Sequence, residues 1–221
     1  GFDLALFSLF YLKRNKTVLE IGDLRKSNRK IIGRVTDLIE YYVFKRINKL
    51  VVTSPAFKNH YLRKYPSLNI EVKENKIESF DLNSYKLKSQ LKLHKNKKKI
   101  TIGVVGLLRY DSIIHLLLEY KNSNVYDFLV IGDGRLVKRI KDIERSSTNI
   151  KYYGAFKNPD DLHVIYNTID VNFVVYDPSD LNVQLALPNK LYESVFYEVP
   201  ILVSKGTYLY REVKKLGIGA G

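Results

Sequence analysis

Short apolar runs alternate along the chain with longer stretches in which apolar residues recur every three or four positions. Residues 17–21 (TVLEI) read as a strand ending at Gly22-Asp23. Over 35–50, Val35, Leu38, Ile39, Tyr42, Val43, Ile47 and Leu50 repeat with helical spacing, and 50–53 read as the next strand. Ser54-Pro55 is a helix start, with an acceptor side chain for unpaired N–H groups followed by a residue that has none. That helix should stop before Pro66. Residues 69–73 give a further strand. The first part therefore reads β-α-β-α-β, which implies a parallel sheet.

Residues 81–99 (DLNSYKLKSQLKLHKNKKK) break the pattern and read as a basic linker or exposed segment. From Ile100 the alternation restarts. Strands are predicted over 100–105, 128–131, 150–153, 171–176 and 200–204. Helices are predicted over 112–120, to about 145, from Asn158-Pro159, from a cap at Asn189 to about 197, and over 208–216. Five strands alternating with helices indicate a doubly wound, Rossmann-like α/β sheet.

Composition narrows the picture. With 45% hydrophobic and 27% charged residues, the 221-residue chain is of globular type. The absence of Cys excludes disulfides, thiolate zinc sites and thiol catalysis. No apolar stretch is long enough to span a membrane; the longest, 2–12, contains Asp3. The chain starts at Gly1 and has no Met, so it is expected to be a piece of a longer protein. The net charge of +14 is unevenly placed: residues 1–99 hold 23 Lys+Arg against 9 Asp+Glu, and residues 100–221 hold 14 of each. Such asymmetry is either a solvated lysine surface or a face for an anionic partner, nucleic acid or lipid.

Ligands of open α/β sheets sit beyond the carboxyl ends of the strands. There, Gly132-Asp133-Gly134 is read as a tight turn rather than a dinucleotide fingerprint, because the third glycine position is Val137. With Asn189 as cap, Lys190 and Glu193 share a face of a first helical turn. Two readings stand level. In one they are a surface ion pair; in the other Lys190 and the helix N-terminus receive a phosphate while Glu193 accepts from sugar hydroxyls. Arg109, after Gly106 and a strand, is either a phosphate-binding arginine or a solvated loop residue. His115, among Ile113, Ile114, Leu116 and Leu117, reads as structural.

The segments GLLRYD (106–111), FLVIGDG (128–134), IKYYGAF (150–156), VIYNTIDV (164–171) and PNKLYESVFYEVPILVS (188–204) together resemble the donor-binding domain of GT-B glycosyltransferases, especially glycosyltransferase family 4. VLEIGDLR (18–25), KLVVTSPAFKNHYLRKYP (49–66) and VKENKI (72–77) resemble the end of the N-terminal domain of the same enzymes. The resemblance implies two Rossmann-like doubly wound domains, the first only partly present. Residues 1–80 would be the end of the acceptor-side domain, 81–99 a basic linker, and 100–221 the donor domain, incomplete at its C-terminus.

By the same resemblance, Arg109 and Lys190 bind the donor phosphates and Glu193 the ribose. Ala155 and Phe156 pack the base, and Gly106, His115, Asn189 and Asp23 are weaker candidates. Two positions depart from the pattern: the first glutamate of the family's pair is Leu185 here, and the usual lysine six residues after the arginine is His115. A glycine usual before Pro200 is replaced by Glu198-Val199.

The implied activity is transfer of a sugar, with retention and without a metal or other cofactor, from a nucleotide sugar held between the domains. The implied acceptor is a lipid-linked glycan of bacterial surface or capsular polysaccharide synthesis. The implied location is cytoplasmic, peripheral at the inner membrane face, where a basic domain meets anionic lipid. No catalytic base is assigned. The rivals are a nucleotide-sugar 2-epimerase of the same fold and a noncatalytic nucleic-acid- or glycan-binding protein. No nucleic-acid-binding motif supports the nucleic-acid alternative.

Overall fold

The computed structural model describes residues 17–24, 30–76 and 89–221, with side chains from 35 onward in the first helix. Residues 2–12 and 77–88, the latter including the first part of the expected linker, thus lie outside the described residues. The chain divides into two compact units, 1–75 with 184–187, and 76–183 with 188–221.

The first unit runs β1 (Val18–Ile21), α1 (Lys30–Phe44), β2 (Lys49–Val52), α2 (Pro55–Lys64) and β3 (Ile70–Val72). Its three strands are parallel in the order β1-β2-β3. The helix expected to run toward Leu50 ends at Phe44, because Leu50 is needed in β2, where it pairs with Ile70. Its neighbour Ile47 still joins the core with Val43, Phe44, Leu50, Val52, Phe57 and Tyr61. The Ser54 cap is present: its hydroxyl oxygen accepts from the Phe57 N–H at 3.1 Å and donates to the Leu185 carbonyl at 2.6 Å.

The second unit runs β4 (Ile100–Leu107), α3 (Asp111–Glu119), β5 (Tyr126–Asp133), α4 (Val137–Arg145), β6 (Ile150–Tyr152), α5 (Leu162–Thr168), β7 (Val171–Val174), α6 (Leu181–Leu185), α7 (Asn189–Phe196), β8 (Ile201–Val203), α8 (Tyr208–Leu216) and β9 (Gly219–Ala220). Its sheet is parallel in the order β6-β5-β4-β7-β8-β9, the doubly wound order whose direction reverses between β4 and β7. Both faces are buried, as parallel sheets require. Along β5, Phe128 and Val130 face one core with Ile114, Leu117 and Ile140, while Leu129 and Ile131 face the other with Leu162, Ile165 and Tyr166.

Three local readings change. The helix expected at Asn158-Pro159 begins only at Leu162. The Asp161 carboxylate instead turns back to accept from the Lys157 N–H at 2.7 Å and the Ser89 hydroxyl at 2.6 Å. Asn189 is not a cap but the first helical residue of α7, after Pro188. Residues 89–96 have no regular structure, yet Leu91 and Leu93 pack on the second core and Lys95 pairs with Asp170 at 2.6 Å.

Candidate functional site

The reversal of strand order between β4 and β7 leaves a crevice beyond their carboxyl ends. A cavity of about 430 Å³ lies there, lined by Arg109, Tyr110, Ser112 and His115 after β4, by Arg135, and by Tyr176 and Asp177 after β7. Backbone geometry fixes its floor. Gly132 has φ +143°, and a Cβ there would stand 1.8 Å from the Gly106 carbonyl oxygen. Gly132 sits in β5, opposite Gly106 of β4, so the missing Cβ lets the ends of the two strands lie against each other; at Gly134, just past β5, a Cβ would likewise stand 2.5 Å from the Leu108 carbonyl oxygen.

Arg109 is exposed, and its guanidinium donates to the Tyr110 hydroxyl at 2.7 Å. Arg135 Nε donates to the Arg109 carbonyl at 2.8 Å, so a second guanidinium borders the cavity. Tyr110 stacks on Tyr176 with ring centroids 4.5 Å apart. Burial, with Tyr110 and Glu193 nearby, pushes the Tyr176 phenol well above its usual range. His115, expected to be structural, is instead an exposed lining residue on the outer side of α3, while Ile113, Ile114 and Leu117 turn to the core.

The second cluster centres on α7, which buries three polar residues beside Leu191. Lys190 is 9% exposed, Glu193 2% and Ser194 1%, whereas Val195 is 47% exposed. An amphipathic helix normally shows the reverse. Lys190 Nζ and Glu193 Oε2 pair at 2.6 Å. The Tyr166 hydroxyl, from α5, donates to the same Oε2 at 2.6 Å. Asn172 Nδ2 donates to the Tyr166 hydroxyl at 3.1 Å and to Ser194 Oγ at 2.9 Å. Burial first, and then the Glu193 charge, raise the Tyr166 phenol far above its normal pKa, so it stays a donor. Lys190 also lies 5.4 Å from the Phe156 ring centroid, and its Cε would stand 3.2 Å from a Cβ at Gly106.

Gly106, Phe156, Lys190 and Glu193 are thus brought together, and Arg109 and His115 line the adjoining cavity. Ala155 is exposed beside Phe156, Asn189 is exposed at the start of α7, and Asp23 is an exposed residue of the first unit just after β1. Leu185, where the family pattern has a glutamate, packs on the core of the first unit. Tyr166, Asn172, Tyr176 and Arg135 were not singled out in the sequence, because tyrosine and asparagine in a buried strand and helix look like core residues. Among the described residues no group of three or more His, Asp or Glu is arranged to hold a metal ion, and no helix is long and apolar enough to cross a membrane.

Two solved structures share this architecture. The sucrose-phosphate synthase of Thermosynechococcus elongatus matches 97% of this chain and 56% of its own with a TM-score of 0.68 at 14% identity. A point mutant of TarM from S. aureus, in complex with fondaparinux, alpha-GlcNAc-glycerol and UDP, matches 88% of this chain and 38% of its own with a TM-score of 0.56, also at 14% identity. The fold is that of the GT-B glycosyltransferases. Among curated proteins, the succinoglycan biosynthesis protein ExoL of Rhizobium meliloti (strain 1021) is 28% identical over 200 residues, 86% of this chain. The chain spans about half of that relative, 49% of its length. No protein-family model matches the chain.

Proposed function

We propose that this chain is part of a glycosyltransferase that moves a sugar from a nucleotide-sugar donor to an acceptor hydroxyl in bacterial surface-polysaccharide synthesis. The buried Lys190–Glu193 pair carries the reading. Burying two charges costs stability that their attraction only partly returns. A ligand that uses both charges accounts for their position at the strand ends. Glu193 takes the ribose hydroxyls. Lys190 exchanges its carboxylate partner for a donor phosphate, joined by Arg109 from the neighbouring cavity. Phe156 and Ala155 flank the base.

The barrier to glycosyl transfer includes charge growing on the departing diphosphate. Arg109, Lys190 and the N–H groups at the start of α7 supply fixed positive potential for it. Their charge suffices for a reaction that needs no bound metal. Retention, a lipid-linked acceptor and attachment to an anionic membrane face complete the proposal. The GT-B fold, the relative in succinoglycan biosynthesis and the basic first 99 residues support it.

The test is calorimetric titration with UDP, GDP, ADP and their common sugar conjugates. At least one is expected to bind, and Glu193→Gln and Lys190→Met are each expected to weaken it roughly tenfold or more, the loss of a charge-assisted hydrogen bond. Equal binding by folded variants and wild type would refute the site. Incubation with the bound donor alone identifies an epimerase by sugar conversion without acceptor.

A further inference from the structure

We propose that Tyr166 is a positioning residue for the donor: it fixes the Glu193 carboxylate so that one oxygen is held by the protein and the other serves the ribose. The inference rests on the donor reading of Glu193 given above. It starts from an asymmetry in the cluster. Lys190 Nζ and the Tyr166 hydroxyl both bind Oε2, each at 2.6 Å, and neither engages Oε1.

The direction of the Tyr166 hydrogen bond is set by its surroundings. Its oxygen accepts from Asn172 Nδ2 at 3.1 Å, so its proton is left to point at Glu193. Asn172 is fully buried in β7, and its amide also donates to Ser194 Oγ, which belongs to α7 itself. The ring is 1% exposed and stacks on Tyr197 at 5.1 Å between centroids, 10° from parallel. Tyr197 follows the last residue of α7. Tyr166 therefore contacts α7 at Glu193 and again, through its ring, at Tyr197 just past the end of the helix.

This arrangement solves a problem in the donor mechanism. When Lys190 leaves Glu193 for a phosphate, the carboxylate is buried and loses its cation. Such a group would swing after the lysine. The Tyr166 hydroxyl keeps a donor on Oε2 throughout, so the Glu193 rotamer stays put. Oε1 then accepts from the ribose hydroxyls in unchanged geometry. The lysine is the exchangeable partner and the tyrosine the permanent one.

The experiment compares UDP, GDP and ADP with their 2′,3′-dideoxy counterparts in the intact chain. Wild type is expected to prefer the ribo form of its nucleotide by roughly tenfold, the scale of hydrogen bonds to a charged acceptor. Tyr166→Phe, with circular dichroism confirming the fold, is expected to bring that preference to about twofold or less while dideoxy binding changes little. Should Tyr166→Phe not fold, Asn172→Leu removes the amide that orients the hydroxyl and is expected to lower the same ratio. A folded variant that binds both forms more weakly but keeps the wild-type ratio overturns the positioning role and leaves a structural one. A wild type that binds none of the three nucleotides overturns the donor reading itself.

Discussion

At the scale of single residues, glycine positions separate steric need from backbone preference. Gly132 and Gly206 both have positive φ, but only Gly132 has a backbone oxygen where a Cβ would go. Gly206→Ala is expected to cost about 1–2 kcal/mol, the penalty of left-handed backbone for an L side chain. Gly132→Ala must also push apart the paired ends of β4 and β5, so it is expected to leave little folded protein and no nucleotide binding. Urea denaturation of the two variants decides this, and equal midpoints would count against the close approach. The Lys190–Glu193 spacing was visible in the sequence; its burial was not. Spacing tells only that two side chains share a helix face, and which face points inward depends on α5 and β7 arriving beneath it.

At the scale of elements, residue type alone did not settle the caps: Ser54 caps α2 as read, Asn189 of the same capping type does not cap α7, and Thr207 caps α8 without having been read as a cap. Ser54 and Thr207 each accept from the N–H three residues on, at 3.1 and 3.0 Å. Ser54→Ala should destabilise by about 1 kcal/mol. The end of α7 near 197 was legible, but the way it closes was not. Glu198 N–H bonds the Val195 carbonyl and Val199 N–H bonds that of Ser194, the same closure that Gly217 and Ile218 give α8. Glu198 adopts φ +56° to do so, whereas Gly217 has φ +68° without a side chain to strain. Glu198→Gly is expected to raise the melting temperature slightly, since relief of about 1–2 kcal/mol of left-handed strain exceeds the added chain entropy of about 0.5–1 kcal/mol. A lower melting temperature would show that the side chain contributes more than its strain.

On α2, burial is the main influence lowering the His60 pKa from 6.5; Lys64 and Arg63 push the same way and Glu40 opposes them. Its folded pKa lies below its unfolded one, so the unfolded chain binds the proton more readily. Stability from this group is complete above about pH 6.5 and is lost as pH falls through that value. Stability should fall more steeply between pH 7.5 and 5.5 in wild type than in His60→Gln, a difference in which shared carboxylate effects cancel. Parallel slopes in the two would remove His60 as the cause.

For the molecule as a whole, charge is the property that sequence reports best, because it needs no geometry. The excess of positive charge lies entirely in residues 1–99, and residues 100–221 are neutral overall. Co-sedimentation with phosphatidylglycerol-rich vesicles is expected at low salt and should vanish near 1 M, where screening shortens to about 3 Å. Binding that is absent, or indifferent to salt, would argue against an electrostatic membrane face. The position of residues 184–187 shows the opposite case. No local pattern indicates that a chain within the second unit sends one turn, including Leu185, to complete the core beside Ser54 and Phe57 in the first.

The sequence by itself determined the alternation of strands and helices, the parallel sheets and the identity of the strand-end loops. These follow from apolar period, caps and turn residues, which act over a few neighbours. Tertiary structure alone decided that His115 faces a cavity, that Asn172 and Tyr166 brace Glu193, and that a lysine and a glutamate lie buried while Val195 is exposed. Those outcomes depend on residues about 20 to 80 positions apart meeting where strand order reverses, and nothing in a local pattern encodes which of them meet.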